Sequence, residues 1–164
     1  MSLLLSSIWF DLIWAMAVFG QQRWLWLTSG LVVVVYGWAM IQRHPLLINM
    51  VWVALLGIVI DYGNLSLGLF IFSDQQLPLW LVALWFAFSW YAAYVIPPLN
   101  RYPKPILCVV GGSLGSLSYW VGYRAGAVSW LSSHWLVLGV VFLQWLAITW
   151  LLIKVMKYEK TTNS

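Results

Sequence analysis

The chain has 164 residues, of which 63% are apolar and only 7% carry a charge. Soluble domains carry about 25% charged residues, so this composition excludes an ordinary soluble protein and predicts one that lies in a membrane. The net charge of +4 comes from basic residues at the ends of apolar runs. Basic residues there set membrane topology, so the charge does not indicate nucleic acid binding.

Six apolar runs meet or approach the length of about 20 residues that a helix needs to cross a bilayer. They predict an all-α, polytopic membrane helix bundle with six transmembrane helices, 1 to 6, at residues 3–19, 24–41, 46–60, 78–96, 106–122 and 134–153. Prolines at the ends of runs, such as Pro78 and Pro97, support these boundaries because proline starts or stops helices. The breaks are short, which predicts a single integral membrane domain over 1–164 with a short basic tail at 154–164.

Lys and Arg are unevenly divided between the two ends of these predicted helices. If residue 1 is cytoplasmic, one side holds six of the eight basic residues: Arg43, Arg101, Lys104, Lys154, Lys157 and Lys160. Because cytoplasmic loops are enriched in Lys and Arg, we expect both termini in the cytoplasm. A cleaved signal peptide is the alternative for the first run. The run has no basic residue before it and contains Asp11, which favours a retained helix.

Asp11 lies in the middle of the first run, with no basic residue near it in the sequence. A charged side chain at the centre of a membrane helix costs about 3 kcal/mol on insertion scales. Such residues are therefore rare and usually face a partner or a water-filled cavity. The sequence makes Asp11 a candidate site residue and supports one hypothesis of function, a small proton-coupled transporter.

A second set of polar residues is predicted on the side opposite the cytoplasm. Its members follow helix 3, end helix 5 or start helix 6: Asp61, Asn64, Tyr119, Tyr123, Arg124 and His134. They predict a polar pocket in the outer half of the bundle, roofed by segment 61–77, with an ion pair between Asp61 and Arg124. Two interpretations stay open, a salt bridge that fixes the loop and a pocket for a lipid headgroup or a proton.

Small residues recur along helix 5 at spacings of three and four, at Gly111, Gly115, Ser118 and Gly122. Such a stripe lets another helix approach closely inside a bilayer, so we interpret it as a packing surface. It faces either a neighbouring helix of the chain or a second copy in a homo-oligomer.

The sequence predicts neither a metal site nor a cofactor. Its two histidines lie on opposite sides of the predicted membrane, Cys108 is the single cysteine, and there is no phosphate-binding or dinucleotide motif. Trp85 and Trp145 fall near the centres of runs. They are interpreted as core side chains, with stacking on a ligand as the alternative.

Several motifs carry a resemblance to a known family: the Trp-rich first helix with Trp9 and Trp14, Asp61 at the end of helix 3, Pro78-Leu79-Trp80, and the Gly-rich segment 111–127. With them the chain resembles a family of small tryptophan-rich proteobacterial inner-membrane proteins of unknown function. Relatives in that family tend to be encoded near cyclopropane-fatty-acid-synthase-like enzymes. The resemblance implies a multi-pass protein of the bacterial inner (plasma) membrane, linked to lipid modification or envelope stress. Membrane lipid and a lipid-modifying enzyme are the partners it implies.

The chain is also similar in size and Trp content to the tryptophan-rich sensory proteins that bind porphyrins and sterols. Those proteins have five helices and a Trp-Pro-rich first loop, whereas the first break here is only residues 20–23. Together, the residues and the first resemblance favour a non-catalytic accessory or lipid-binding protein. The alternatives are the transporter using Asp11 and a metal-free membrane enzyme acting through Asp61 or His134.

Overall fold

The computed structural model describes residues 3–157, and within that range the chain is helical and contains no β-strand. The helices are α1 (Leu3–Gly20), α2 (Leu25–Ile41), α3 (Leu47–Ser66), α4 (Leu79–Leu99), α5 (Lys104–Arg124) and α6 (His134–Val155). Five helical segments are long and apolar enough to cross a membrane, which indicates a membrane protein. The first of these, Leu3–Ile41, contains both α1 and α2. Lys160 and the rest of the predicted tail beyond residue 157 lie outside the described residues.

Segment Leu3–Ile41 is not one straight helix. A straight helix of its 39 residues would be about 58 Å long, roughly twice the hydrocarbon thickness of a bilayer. The chain instead turns through a 3₁₀ segment, Gln21–Trp24, where Gln21 has a positive φ of 45°. Gly20 precedes this turn because a Cβ there would collide with the indole of Trp24.

Contacts with α4 show that α1 and α2 run antiparallel. Near the start of α1, Ser7 Oγ lies 3.1 Å from the hydroxyl oxygen of Tyr91. Near the end of α2, the Tyr36 hydroxyl lies 2.8 Å from Ser89 Oγ. Because residues 89 and 91 occupy one level of α4, the start of α1 and the end of α2 lie at the same end of the bundle. The two helices therefore form a hairpin against α4.

α4 is the central helix, since it contacts α1, α2, α3 and α6. Small residues make this possible: Ala83, Ala87, Ala92 and Ala93 are all buried in its contacts. Small side chains allow helix backbones to approach closely where lipid provides no hydrophobic force between helices. α4 thereby sets the positions of the helices around it.

α5 packs on α6 through glycines of the predicted small-residue stripe. A Cβ added at Gly111 would overlap Thr149, and one added at Gly115 would overlap the indole of Trp145. Both positions therefore face α6 of the same chain and are not open to a second copy. One turn after Gly115 on α5, the Ser118 hydroxyl accepts a hydrogen bond from Trp14 Nε1 at 2.8 Å.

Two helices continue past the residues that the sequence predicted as their ends, one at a polar residue and one at a proline. α3 continues from the predicted end at residue 60 to Ser66, because polar residues in its last turns are buried and find partners in other helices. α4 continues through Pro97 and Pro98 to Leu99, past the predicted end at residue 96. Its last turn still closes, since the Asn100 N–H bonds the carbonyl of Ile96 at 3.1 Å. A polar residue or a proline thus marks a helix end only where the fold does not supply the hydrogen bonds that such a residue would otherwise leave unmade.

Candidate functional site

A buried carboxyl group occupies the contact between α3, α4 and α5. The side chain of Asp61 is 1% exposed. Its Oδ2 accepts a hydrogen bond of 2.6 Å from Trp85 Nε1, and the Tyr119 hydroxyl lies 2.7 Å from both carboxyl oxygens. Gly57, one turn earlier on α3, leaves room for the Trp85 indole to lie against the helix. Two neutral donors from two other helices therefore hold Asp61.

The predicted ion pair between Asp61 and Arg124 is absent from the described residues. Arg124 is the last residue of α5 and is exposed. Because α3 extends more than one turn beyond Asp61, the carboxyl lies below the end of the bundle, level with Tyr119. Tyr119 is five residues before Arg124 on α5, a rise of about 7.5 Å. Asp61 is therefore a core residue rather than a loop residue at the membrane surface.

One turn further along α3, Asn64 forms a reciprocal amide pair with Gln144 of α6. Asn64 Nδ2 donates to Gln144 Oε1 at 3.0 Å, and Gln144 Nε2 donates to Asn64 Oδ1 at 2.7 Å. Asn64 is 2% exposed, so neither amide group has water as a ready substitute. Sequence reasoning missed Gln144. The signal that could have indicated it is its position, because Gln144 is a lone amide side chain in the middle of a long apolar run.

We expect Asn64 and Gln144 to be energetically coupled. Replacing either residue by leucine leaves the amide of the other unpaired, whereas the double replacement removes both polar groups together. A double-mutant cycle on unfolding in mixed micelles should give a coupling free energy of about 1 kcal/mol, within the range measured for membrane helices. Additive effects of the two single replacements would contradict the pairing.

A cavity of about 70 Å³ lies beside Asp61, between α1, α4, α5 and α6. Aromatic rings form most of its wall: Phe10, Trp14, Phe72, Trp80, Trp85, Phe88, Tyr119 and Trp145. Trp85 stacks on Trp145, with ring centroids 5.6 Å apart and planes inclined by 14°. Trp85 and Tyr119 thus have two roles, because each lines the cavity and also donates to Asp61.

Three polar groups on the cavity wall are bonded within the chain. The N–H groups of Trp14 and Trp85 donate to Ser118 and Asp61, and the hydroxyl of Tyr119 donates to Asp61. Aromatic rings and aliphatic groups therefore form most of the wall. A cavity of this kind accommodates an apolar group, because burying a polar group there without a partner is costly.

Two loops close the cavity at one end. Residues 67–78 and 125–133 are joined by an antiparallel bridge, in which Ile71 N donates to Ser129 O at 2.7 Å and Ser129 N donates to Ile71 O at 2.9 Å. The first loop contributes Phe72 to the cavity wall and the second contributes Val128. The part of segment 61–77 that follows α3 thus lies at one end of the cavity, while residues 61–66 belong to α3.

Tyr123 and His134 form a separate cluster near the same end of the bundle. Trp130 Nε1 donates to His134 Nδ1 at 3.0 Å, and the rings of Tyr123 and Trp130 stack at 4.2 Å. His134 is exposed. Amphipathic aromatic side chains at helix ends are typical of the membrane–water interface. These two predicted site residues therefore do not share a pocket with Asp61.

Asp11 is also apart from the cavity. It is exposed on α1, and within residues 3–157 its side chain makes no hydrogen bond or ion pair. Phe10 and Trp14 of the same helix line the cavity, whereas Asp11 does not. Of the predicted site residues, the structure brings together Asp61 and Tyr119, with Asn64 one turn away. Within the same range no group of three or more His, Cys, Asp or Glu could hold a metal ion.

Residues 3–151, from the start of α1 to most of α6, match the model of one protein family, described as a protein of unknown function (DUF2878). The chain belongs to this family. The resemblance to a family of unknown function over most of the chain is confirmed to that extent, and every cavity residue lies inside the matched DUF2878 region. Neither a curated protein nor a solved structure matches the chain.

Proposed function

We propose that this DUF2878 protein is a non-catalytic lipid-binding protein of the bacterial inner membrane, and that its cavity holds the hydrocarbon part of a membrane lipid. The cavity carries the proposal: its wall is mostly apolar, it lies inside a membrane helix bundle, and the Trp14, Trp85 and Tyr119 donors on its wall are already bonded. Lipid chains are the apolar ligands present at this depth. The aromatic wall gives them ring faces to pack on.

The volume of the cavity favours a chain over a ring system. A cavity of about 150 Å³ holds a benzene ring, whereas this one measures about 70 Å³. A short stretch of a fatty acyl chain fits such a space, with the rest of the lipid remaining in the bilayer. A porphyrin or a sterol, the ligands of the tryptophan-rich sensory proteins, is much larger.

The composition of the wall supports binding without catalysis. The described wall contains no histidine, lysine or cysteine, and its one aliphatic hydroxyl, Ser118, is bonded to Trp14. The enzyme hypothesis needs Asp61 or His134 as an acid–base group, but Asp61 is held behind Trp85 and Tyr119. The transporter hypothesis depends on Asp11, which lies outside the cavity.

We further propose six membrane crossings with both termini in the cytoplasm. The α1–α2 hairpin supports six crossings, because it divides Leu3–Ile41 into two antiparallel helices. The basic residues support the orientation, since Arg43, Arg101 and Lys154 lie at the end of the bundle opposite the cavity loops. In this orientation Asp61 and the cavity lie in the outer half of the membrane.

Filling the cavity should prevent lipid binding. A Cβ added at Gly122 meets only Val128, at an ordinary contact distance of 3.7 Å, so Gly122→Leu places its side chain in the cavity without a backbone collision. We expect the yield of crosslinks to a phospholipid with a photoreactive acyl chain to fall at least about fivefold in this variant. Gly139→Leu is the matched control, because Gly139 is exposed on α6 with open space around it and should retain the wild-type yield.

The same two variants test the link to membrane lipid modification, which rests on the resemblance. In a deletion strain under envelope stress, wild type and Gly139→Leu should restore the acyl-chain profile seen by whole-membrane mass spectrometry. Gly122→Leu should not restore it. An unchanged profile on deletion would reject the link to lipid modification. Equal crosslinking by Gly122→Leu and wild type would reject the cavity as the lipid site.

A further inference from the structure

The carboxyl group of Asp11 lies deep in the membrane on the outside of the bundle. Asp11 is the ninth of the 18 residues of α1, which places it about 12 Å from either end of the helix. It is exposed, and within residues 3–157 it has no hydrogen-bond or ion-pair partner. The rest of the bundle therefore gives this carboxyl group neither a hydrogen-bond donor nor a positive charge. Lipid hydrocarbon at this depth supplies neither of them.

The surface around Asp11 is one helix wide and otherwise apolar. Leu4, Ile8, Leu12 and Phe19 are exposed to between 49% and 71%. They lie one or two helical turns before and after Asp11, or directly beside it, and so form a continuous face along α1. This apolar face, with Asp11 along one edge, is wide enough to contact a second transmembrane helix.

A second copy of this chain does not provide the missing charge. The described basic residues lie at helix ends or in loops: Arg23, Arg43, Arg101, Lys104, Arg124, Lys154 and Lys157. A copy inserted in the same orientation therefore presents no cation at the depth of Asp11. A cation at this depth would therefore come from a different protein.

We propose that the exposed face of α1 is a docking surface for a transmembrane helix of another protein, which places a lysine or arginine opposite Asp11 in the middle of the membrane. The charges of the pair compensate each other where water is absent, and the apolar residues on both sides provide the packing. Charged residues within transmembrane segments are commonly paired in this way. The inference is independent of the lipid cavity.

Synthetic transmembrane peptides test the proposal without knowledge of the natural partner. One peptide is a leucine–alanine helix of about 20 residues with a central lysine, and the other has leucine in its place. Energy transfer between labelled peptide and labelled protein in phospholipid vesicles measures their association. We expect wild type to bind the lysine peptide about tenfold more tightly than the leucine peptide. Asp11→Glu should keep this preference and Asp11→Asn should lose it.

Asp74→Asn is the matched control, because Asp74 is an exposed carboxylate in the loop between α3 and α4, outside the helices. It should bind both peptides like wild type. Equal binding of the two peptides to wild type would overturn the proposal, as would a lysine preference that survives in Asp11→Asn. Self-association of wild type that is lost in Asp11→Asn would assign the face to a second copy and overturn it too. Asp11 is exposed and makes no hydrogen bond or ion pair in the described fold, so unchanged thermal unfolding of Asp11→Asn is expected in the same vesicles.

Discussion

Adding a single methyl group at Gly57 is expected to destabilise the bundle by about 2–4 kcal/mol. The Cβ of alanine at this position would overlap the six-membered ring of Trp85. The indole has little room to move, since it is 4% exposed and stacked on Trp145. Its displacement also weakens the hydrogen bond to Asp61, so the overpacking cost and the lost bond add. Unfolding in mixed detergent micelles, followed by circular dichroism, measures the effect.

Gly63→Ala in the same helix makes an informative comparison. A Cβ at Gly63 has nothing within 4 Å, so only the helix propensity changes there. Alanine is a better helix former than glycine by up to about 1 kcal/mol, so this variant should be neutral or slightly more stable. Equal effects of the two substitutions would contradict the close contact between α3 and Trp85.

Removing the carboxyl group of Asp61 should cost about 3–5 kcal/mol. In Asp61→Ala the Trp85 N–H and the Tyr119 hydroxyl lose their acceptor together, and each unsatisfied buried donor costs about 1–3 kcal/mol. Asp61→Asn keeps one acceptor oxygen and nearly the same shape, so its cost should be only about 1 kcal/mol. The measurement is again unfolding in mixed micelles.

Asp74→Ala is the control for the stability measurements on Asp61→Ala and Asp61→Asn. Asp74 is exposed in a loop, and its replacement should change stability by less than about 0.5 kcal/mol. If Asp61→Ala were as mild as Asp74→Ala, the buried hydrogen bonds of Asp61 would not contribute to stability. If Asp61→Asn were as severe as Asp61→Ala, the carboxylate itself, rather than an acceptor oxygen, would be required.

The sequence predicted most helices to within a few residues because long apolar runs have few ways to satisfy their backbone in a membrane. Helix α3 is the exception, and Asp61 explains it. The partners of Asp61 are 24 and 58 residues away along the chain, so nothing in the local sequence shows that this carboxyl is bonded. Without that knowledge, the first charged residue looks like the end of the helix.

The rotation of each helix was the part that the sequence did not determine. The first run is apolar on every side, so hydrophobic periodicity does not indicate which face is buried. In the structure, Phe10 turns inward, stacked on Tyr91 at 4.7 Å, and Asp11 consequently turns outward. The same limitation applied to Tyr119 and Tyr123, of which only Tyr119 reaches Asp61. A shared side of the membrane was predictable, whereas a shared pocket was not.

One helix separates the cavity from the outer surface of the bundle. α1 lines the cavity with Phe10, Trp14 and Val18 and also carries the exposed Asp11, which is not part of the cavity wall. A neighbouring protein that shifts or rotates α1 changes the shape of the cavity, and a ligand that displaces α1 changes the direction in which Asp11 points. Thermodynamic linkage makes the two effects equal, since each binding event alters the affinity of the other by the same factor. Under the two proposals above, the position of α1 therefore couples occupancy of the cavity to binding of another membrane protein.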